Sequence, residues 1–298
     1  MTAATATVTT NVAAPKGRSL WKDASLRLRR DKFAMLCFAI IVIYAVIAIL
    51  AKFGIVGAQW DQAIMKGYAP PSGESYLHWM GTDIFGRSVL LKVIHGARVA
   101  MSVGLVTCLI SIPIGVTLGA IGGYFGGWID DLVVWFYTTL ASIPGIMLIV
   151  ATAFALGKGM FAIYVSLGIT SWVGLARVIR GEVIKHKHRE YVMAATSLGA
   201  SHRSRIFKHI LPNVSHQIII YFSLLFQSAI KSEVILSYLG LGVQGQPSWG
   251  VMIDDARQEL AQGVWWQLSG ATIAMFFLVL AFNIFGDALR DALDPKLK

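Results

Sequence analysis

The sequence has little charge. Of its 298 residues, 14% are Asp, Glu, Lys or Arg, where a soluble domain of this size carries about 25%. Cysteine is nearly absent. Cys37 and Cys108 both lie inside apolar runs, which excludes a disulfide framework or a zinc-spaced cluster and leaves two small buried hydrophobes. No G-x-x-x-x-G-K-[ST] occurs, so the chain has no phosphate-binding P-loop of its own. No HExxH occurs either. His186 and His188 are two apart and point to different sides of a helix. His202 and His209 flank another stretch, and the default for all four is a solvated face. No serine sits in G-x-S-x-G, so a hydrolase has no support.

What fills the space is apolar. Hydrophobic residues make up 56% of the chain, in long uncharged runs. Phe33 to Ala51 is 19 residues without a charge, enough to cross about 30 Å of hydrocarbon. Five more candidate spans follow, near Val99–Gly122, Leu132–Leu156, Met160–Ala176, Val214–Leu239 and Leu268–Phe285. The expected fold class is all-α, with six transmembrane helices over residues 33–298. Residues 1–32 form a separate tail. Its start is small and Thr-rich and is expected to be disordered. Its end, SLWKDASLRLRRDK, is expected to lie as an amphipathic helix on the membrane surface.

The net charge of +10 could suggest nucleic acid, but its placement at the ends of apolar runs fits the membrane orientation rule better. With the N-terminus inside, inner segments hold 18 Lys or Arg and outer segments 7. The asymmetry puts both termini in the cytoplasm. Gly115, Gly119, Gly123 and Gly127 recur every four residues. Small residues at that spacing let helices approach closely, within the chain or between subunits. Trp265 and Trp266 precede the sixth run and read as anchors at the membrane interface.

The stretch EYVMAATSLGASHRSRIFKHILPN, Glu190 to Asn213, is different. A helical pattern runs from about Gly181 to Ser197. Val183, Ile184, Tyr191, Ala194, Ala195 and Leu198 form its apolar face. Gly199 turns the chain at low steric cost. Ser201 is placed to cap a second, basic helix that contains Arg203, and Pro212 is expected to stop it. Two alanines, Ala194 and Ala195, leave room for another backbone. Read physically, this is either an ordinary amphipathic loop or a docking knob for an acidic partner surface. A DNA-binding helix-turn-helix shares the basicity and the central glycine, but does not fit between membrane spans.

At Glu190, Ala194, Ala195, Gly199 and Pro212 the stretch resembles the EAA loop of permease subunits in ATP-binding-cassette importers. Three further segments agree in order. GTDIFGRSVLLKVIHGARVAMSVG is similar to the segment after the first span, with Ser88 where Asp is usual, a change expected to weaken a polar contact. EVILSYLGLGVQGQPSWGVMIDDAR and FGDALRDALDPKLK resemble the last outer segment and the C-terminus. The chain is thereby identified as a member of the dipeptide/oligopeptide/nickel permease family, C-type. The resemblance implies a type I importer fold in a bacterial cytoplasmic membrane. It implies a heterodimer with a B-type permease, two ATP-binding subunits that use ATP and Mg, an extracytoplasmic solute-binding protein and no nucleic acid. The coupling loop at about 181–213 would be gripped by the ATPase, the permease itself performing no chemistry. The substrate would be a peptide or a related solute such as a nickel chelate.

Two ionisable residues fall in the fifth run. Glu233 matches a position often acidic in that family, and Lys231 does not. Such residues usually face a cavity or a partner, or reach the interface. A stand-alone secondary transporter or channel is the alternative, although charges in several spans or internal repeats would be expected there.

Overall fold

The computed structural model describes residues 20–293, and the Thr-rich tail expected to be disordered lies outside them. Among the described residues regular structure is helical, apart from two isolated bridges, Ala63 to Arg87 and Thr82 to Ser88. Helix α1 covers Leu20–Arg30 and packs on the C-terminal helix. Asp31 caps α2, Lys32–Lys52, by accepting a hydrogen bond from the Ala34 N–H. The irregular segment 53–88 leads to α3, Val89–Phe125, which is longer at both ends than the expected span.

The third expected span is not one helix. It is α4, Gly127–Ala141, and α5, Gly145–Leu156, bent by 87° at the break. Pro144 is the cause: its ring biases Ile143 away from helical geometry, and it stands at the start of α5. The fourth span is α6, Met160–Thr170, and α7, Val173–His186, which together read as a 27-residue span interrupted at Ser171 and Trp172. Next come α8, Glu190–Ser197, and the short α9, His202–Ser204. A π-helical turn, Arg205–Ile210, runs into α10, Leu211–Tyr238. Helix α11, Trp249–Leu260, leads to α12, Trp266–Leu293.

The glycine stripe sets the arrangement. A Cβ on Gly115, Gly119 or Gly123 would stand 2.9, 2.5 or 2.7 Å from the carbonyl oxygens of Trp172, Ala176 and Arg180. Backbone therefore touches backbone within one chain, and Gly127 takes no part because it opens α4. The contacts advance in the same direction along both partners, so α3 and α6–α7 are parallel. Ser111 continues the series by donating to the Gly168 carbonyl at 2.6 Å. Two parallel neighbours joined by α4 and α5 require that bent pair to return across the layer. The sixth crossing follows from this geometry despite the bend.

The remaining helices fit the same frame. Tyr44 of α2 donates to the Ala274 carbonyl of α12 at 2.9 Å, and Phe38 meets Phe285, so these two helices are antiparallel. Phe226 of α10 stacks on Phe282 of α12 at 4.3 Å and lies against Gly104 of α3. Both ends of the described chain and the α8–α9 region consequently share one side of the layer. Segments 53–88 and 239–265 share the other.

Bulk at the stripe is expected to separate α3 from α7. Gly119→Leu should cost about 1–3 kcal/mol through overpacking, read as a lower thermal midpoint in detergent. Gly145→Ala has open space around its Cβ and should leave the midpoint unchanged. Equal midpoints for both variants would contradict the packing.

Candidate functional site

The knob is built from α7 to α10. Helix α7 ends at His186, and the chain turns through Lys187–Arg189 before α8, where one unbroken helix to Ser197 was expected. His186 and Tyr191 hold the turn closed with a 2.7 Å hydrogen bond. Glu190 opens α8, where the helix dipole favours an anion. Gly199 ends it with φ of +80°. The N–H groups of Gly199 and Ala200 reach the carbonyls of Thr196 and Ala195, which is the Schellman pattern for closing a helix. Ser201 then caps α9 by accepting from the Ser204 N–H at 3.3 Å, as expected from the sequence.

Pro212 does not stop the second helix. The π turn before it accommodates the missing N–H, and the helix runs on as α10. The knob is therefore continuous with a membrane span. It is also tied to α3, because Tyr124 Oη lies 3.0 Å from His202 Nδ1, and Arg205 sits over the Tyr124 ring while donating to Thr196 Oγ1 at 3.1 Å.

The two alanines have different fates. Ala195 is buried with Val192 against Ile206 and Ile210, whereas Ala194 is exposed. Glu190, Met193, Ala194 and Ser197 form the outward stripe of α8. Leu198, expected on the buried face, is 88% exposed because it lies at the helix end beyond the packed turns. Phe207 adds a second exposed apolar group. Glu190 and Arg203 are exposed beside them.

A second feature lies between the spans. The breaks at Ser142–Pro144 and Ser171–Trp172 meet α10 around a cavity of about 490 Å³, lined by Ile143, Thr170, Ser171, Tyr221 and Ser228 among others. From there an exposed stripe follows α10 through Leu224, Ser228, Lys231, Ile235 and Tyr238. Lys231 is on this open face. Glu233 fits neither a pore nor a lipid interface. It is 1% exposed, accepts from Ser237 Oγ at 2.7 Å and takes a second hydrogen bond from Ser248. It joins the end of α10 to the start of α11.

The side opposite the knob is pinned by buried polar groups. Lys92 Nζ donates to Asp83 Oδ2 at 3.0 Å and Gln267 Oε1 at 2.7 Å. Arg87 Nε donates to the same Asp83 oxygen at 2.8 Å, and the N–H groups of Phe85 and Arg87 reach the other. Burial pushes the Asp83 carboxyl up, but the charges of Lys92 and Arg87 and the backbone hydrogen bond hold it below the usual range. Ser88 makes its own polar contacts, donating to the Leu77 carbonyl at 2.6 Å and capping α3. Trp266 is no interfacial anchor: it is 8% exposed and its indole donates to the Thr82 carbonyl at 2.8 Å. Trp265 is the exposed member of the pair.

Residues 112–298 match the family described as binding-protein-dependent transport system inner membrane component. The chain belongs to this family. Residues 19–71 of the permease match the N-terminal TM domain of oligopeptide transport permease C. The permease is 38% identical over 287 residues to the oligopeptide transport system permease protein OppC of Bacillus subtilis (strain 168), across 95% of this chain and 92% of that one. The dipeptide transport system permease protein DppC of the same organism is 37% identical over 281 residues, with 94% and 87% covered. The glutathione transport system permease protein GsiD of Pectobacterium atrosepticum is 34% identical over 283 residues, with 94% and 93% covered. Among solved structures, the inward-facing MetNI methionine ABC transporter is similar with a TM-score of 0.53 at 17% identity, over 69% of this chain and 96% of that one. At that identity the likeness is one of fold. The permease thus has the type I importer fold and is a C-type permease subunit of an ABC importer. The family assignment displaces the stand-alone transporter.

One group opposite the knob titrates near neutrality. Glu259 is 3% exposed, and its Oε2 has no hydrogen-bond partner. Burial pushes its carboxyl up to about 7. Lys92 pulls it back, and Asp255 and Asp83 add to the rise. A carboxyl raised on folding stabilises the fold while protonated, and that stability is lost as pH climbs from about 4.5 to about 7. Glu259→Gln is neutral at every pH. Its thermal midpoint should match the wild type at pH 4 and exceed it at pH 8, and an equal difference at both pH values would contradict this.

Proposed function

We propose that the permease couples the closure of two ATP-binding subunits to alternating access across a bacterial cytoplasmic membrane. The knob is the coupling element. The observation that carries this is its exposed surface: Glu190, Met193 and Ala194 stand outward on a short helix, and Leu198 at its end, while the other face packs on the π turn and enters through Val192 a core shared with α3, α7 and α10. Leu198 and Phe207 supply an apolar centre, and Arg203 a cation at the side. That is the make-up of a docking surface, with apolar anchors inside a polar rim. ATP and Mg are bound by the partner subunits, and force reaches the spans as rigid-body rotation.

The other partners are a B-type permease, which completes the pathway, and an extracytoplasmic solute-binding protein. The excess of Lys and Arg on the knob side, 18 against 7, supports both termini being cytoplasmic. Small peptides or peptide-like solutes are the transported class, following the relatives named for dipeptides, oligopeptides and glutathione. The cavity at the helix breaks suits such cargo. Broken helices expose backbone polar groups at membrane depth, and no charged residue lines the cavity. A mostly apolar lining with Thr170, Ser171, Tyr221 and Ser228 as neutral hydrogen-bonding groups accepts peptide whatever its charge, and leaves selection to the binding protein. Lys231 lies one turn beyond Ser228 on the same open face, which favours the pathway over lipid for it.

Uptake by the complete importer in liposomes tests this reading. Leu198→Asp places a charge at the centre of the docking face without touching the core. It should lower uptake by at least about tenfold, a loss of ~1.4 kcal/mol of coupling, with the ATPase no longer co-purifying. Lys231→Met should alter uptake of charged peptides and spare neutral ones. Normal uptake by Leu198→Asp, or labelling of Leu198→Cys by an impermeant thiol reagent from outside intact cells, would overturn the coupling role.

A further inference from the structure

A large cleft lies away from the knob and away from the cavity at the helix breaks. It has a volume of about 870 Å³, at the upper end of the range for ligand pockets, and is enclosed by α2, α3, α6, α10 and α12. Its body is apolar, formed by side chains such as Phe38, Ile41, Leu105, Phe222 and Phe285. One end is polar. Lys52, at the end of α2, and Arg98, in α3, line it together with Gln246 and Tyr164.

Arg87 and Lys92 share Asp83, and Arg257 pairs with Asp254. Lys52 and Arg98 form no ion pair with any described residue. Lys66 and Lys158 on this side are also without an ion pair, but only Lys52 and Arg98 line the apolar cleft. Lys52 is exposed at the last residue of its span, and Arg98 is half-buried in the first three turns of α3 on the same side, which places both near the level of the headgroups. Along α2 the cleft extends from Phe38 to Lys52, about 21 Å at 1.5 Å per residue. The hydrocarbon of one leaflet is about 15 Å deep. The cleft therefore has room for acyl chain along its length and two cations at the level of a headgroup.

We propose that this cleft binds one anionic phospholipid, with its acyl chains among α2, α3, α10 and α12 and its phosphate between Lys52 and Arg98. Basic pockets between membrane helices recognise anionic headgroups in this way. The guanidinium gives two parallel donors to phosphate oxygens, and the ammonium adds a point charge. A helix from a neighbouring subunit could fill the apolar body, but would leave both cations without an anion. The lipid satisfies both parts of the cleft. Bound there, it would fill the space between α2 and the rest of the bundle and join the first span to the moving core.

The purified importer complex is incubated with palmitoyl-oleoyl phosphatidylglycerol or with the matching phosphatidylethanolamine. Retained lipid is counted by native mass spectrometry. Lys52→Gln/Arg98→Gln should weaken phosphatidylglycerol retention about tenfold, ~1.4 kcal/mol, and leave phosphatidylethanolamine unchanged. Ala45→Trp keeps both cations and narrows the apolar body, and should lower phosphatidylglycerol retention as well. Unchanged retention in either variant, the result of a cleft closed by a neighbouring helix, overturns the proposal. An equal loss of both lipids in the charge variant also overturns it, because the headgroup would then not be recognised.

Discussion

The contact of α3 with α6–α7 along three glycines is the constraint on which the rest depends. It places two parallel helices side by side with backbone in contact. A chain that leaves α3 on one side and enters α6 on the other must cross between them, so the bent pair α4–α5 has no freedom to remain on one side. The same contact fixes the knob. Helix α7 leads into α8, and the turn at Gly199 then brings α9 to the end of α3, where Tyr124 meets His202. The π turn then carries the knob into α10 without a break. Three spans converge on the proposed docking surface. Stiff helices in backbone contact transmit displacement with little loss, because packed interiors yield poorly.

Charge is used in two ways. Inside the chain it joins elements. Lys92, Asp83 and Gln267 link segment 53–88 to α3 and α12, and Glu233 links α10 to α11. Removing one partner of such a pair leaves a buried charge unmatched, so these groups hold connectivity more than they add stability. At the surface a second set of charges stands apart from any partner. Glu190 and Arg203 are free on the knob, Lys231 on the open face of α10, and Lys52 and Arg98 in the apolar cleft. An ionisable group without an internal partner marks a place where something else meets the chain.

Much of this was legible in the sequence, because hydrocarbon imposes a simple rule. Runs such as Phe33–Ala51 can only be membrane helices, and the expected runs fall on helices, the third and fourth on broken pairs. The turn at Gly199 and the cap at Ser201 were readable because each rests on a single local residue. What escaped depends on where an element packs. Pro144 was the available signal for the bend in the third span, yet the surrounding hydropathy concealed it. Pro212 was read as a stop, and only the π turn before it shows why the helix continues. Leu198 looked like core from its spacing, but α8 ends before its periodicity can bury it. Glu233 and Trp266 were judged by depth along a span, whereas Glu233 is buried with Ser237 one turn away and Trp266 donates to Thr82 in a distant segment.

The central claim is that the knob and the spans to which it is fused move as one body. The direct measurement uses paired spin labels at Ser197 and Tyr238 in this chain, with distances read by pulsed dipolar spectroscopy in the complete importer, with and without ATP. A second pair joins Ser197 to the corresponding knob of the partner permease. A rigid coupling element gives one narrow intrachain distance that is unchanged by ATP, while the distance between the two knobs shortens. A change in the intrachain distance on ATP binding, with the knobs staying the same distance apart, would contradict the account.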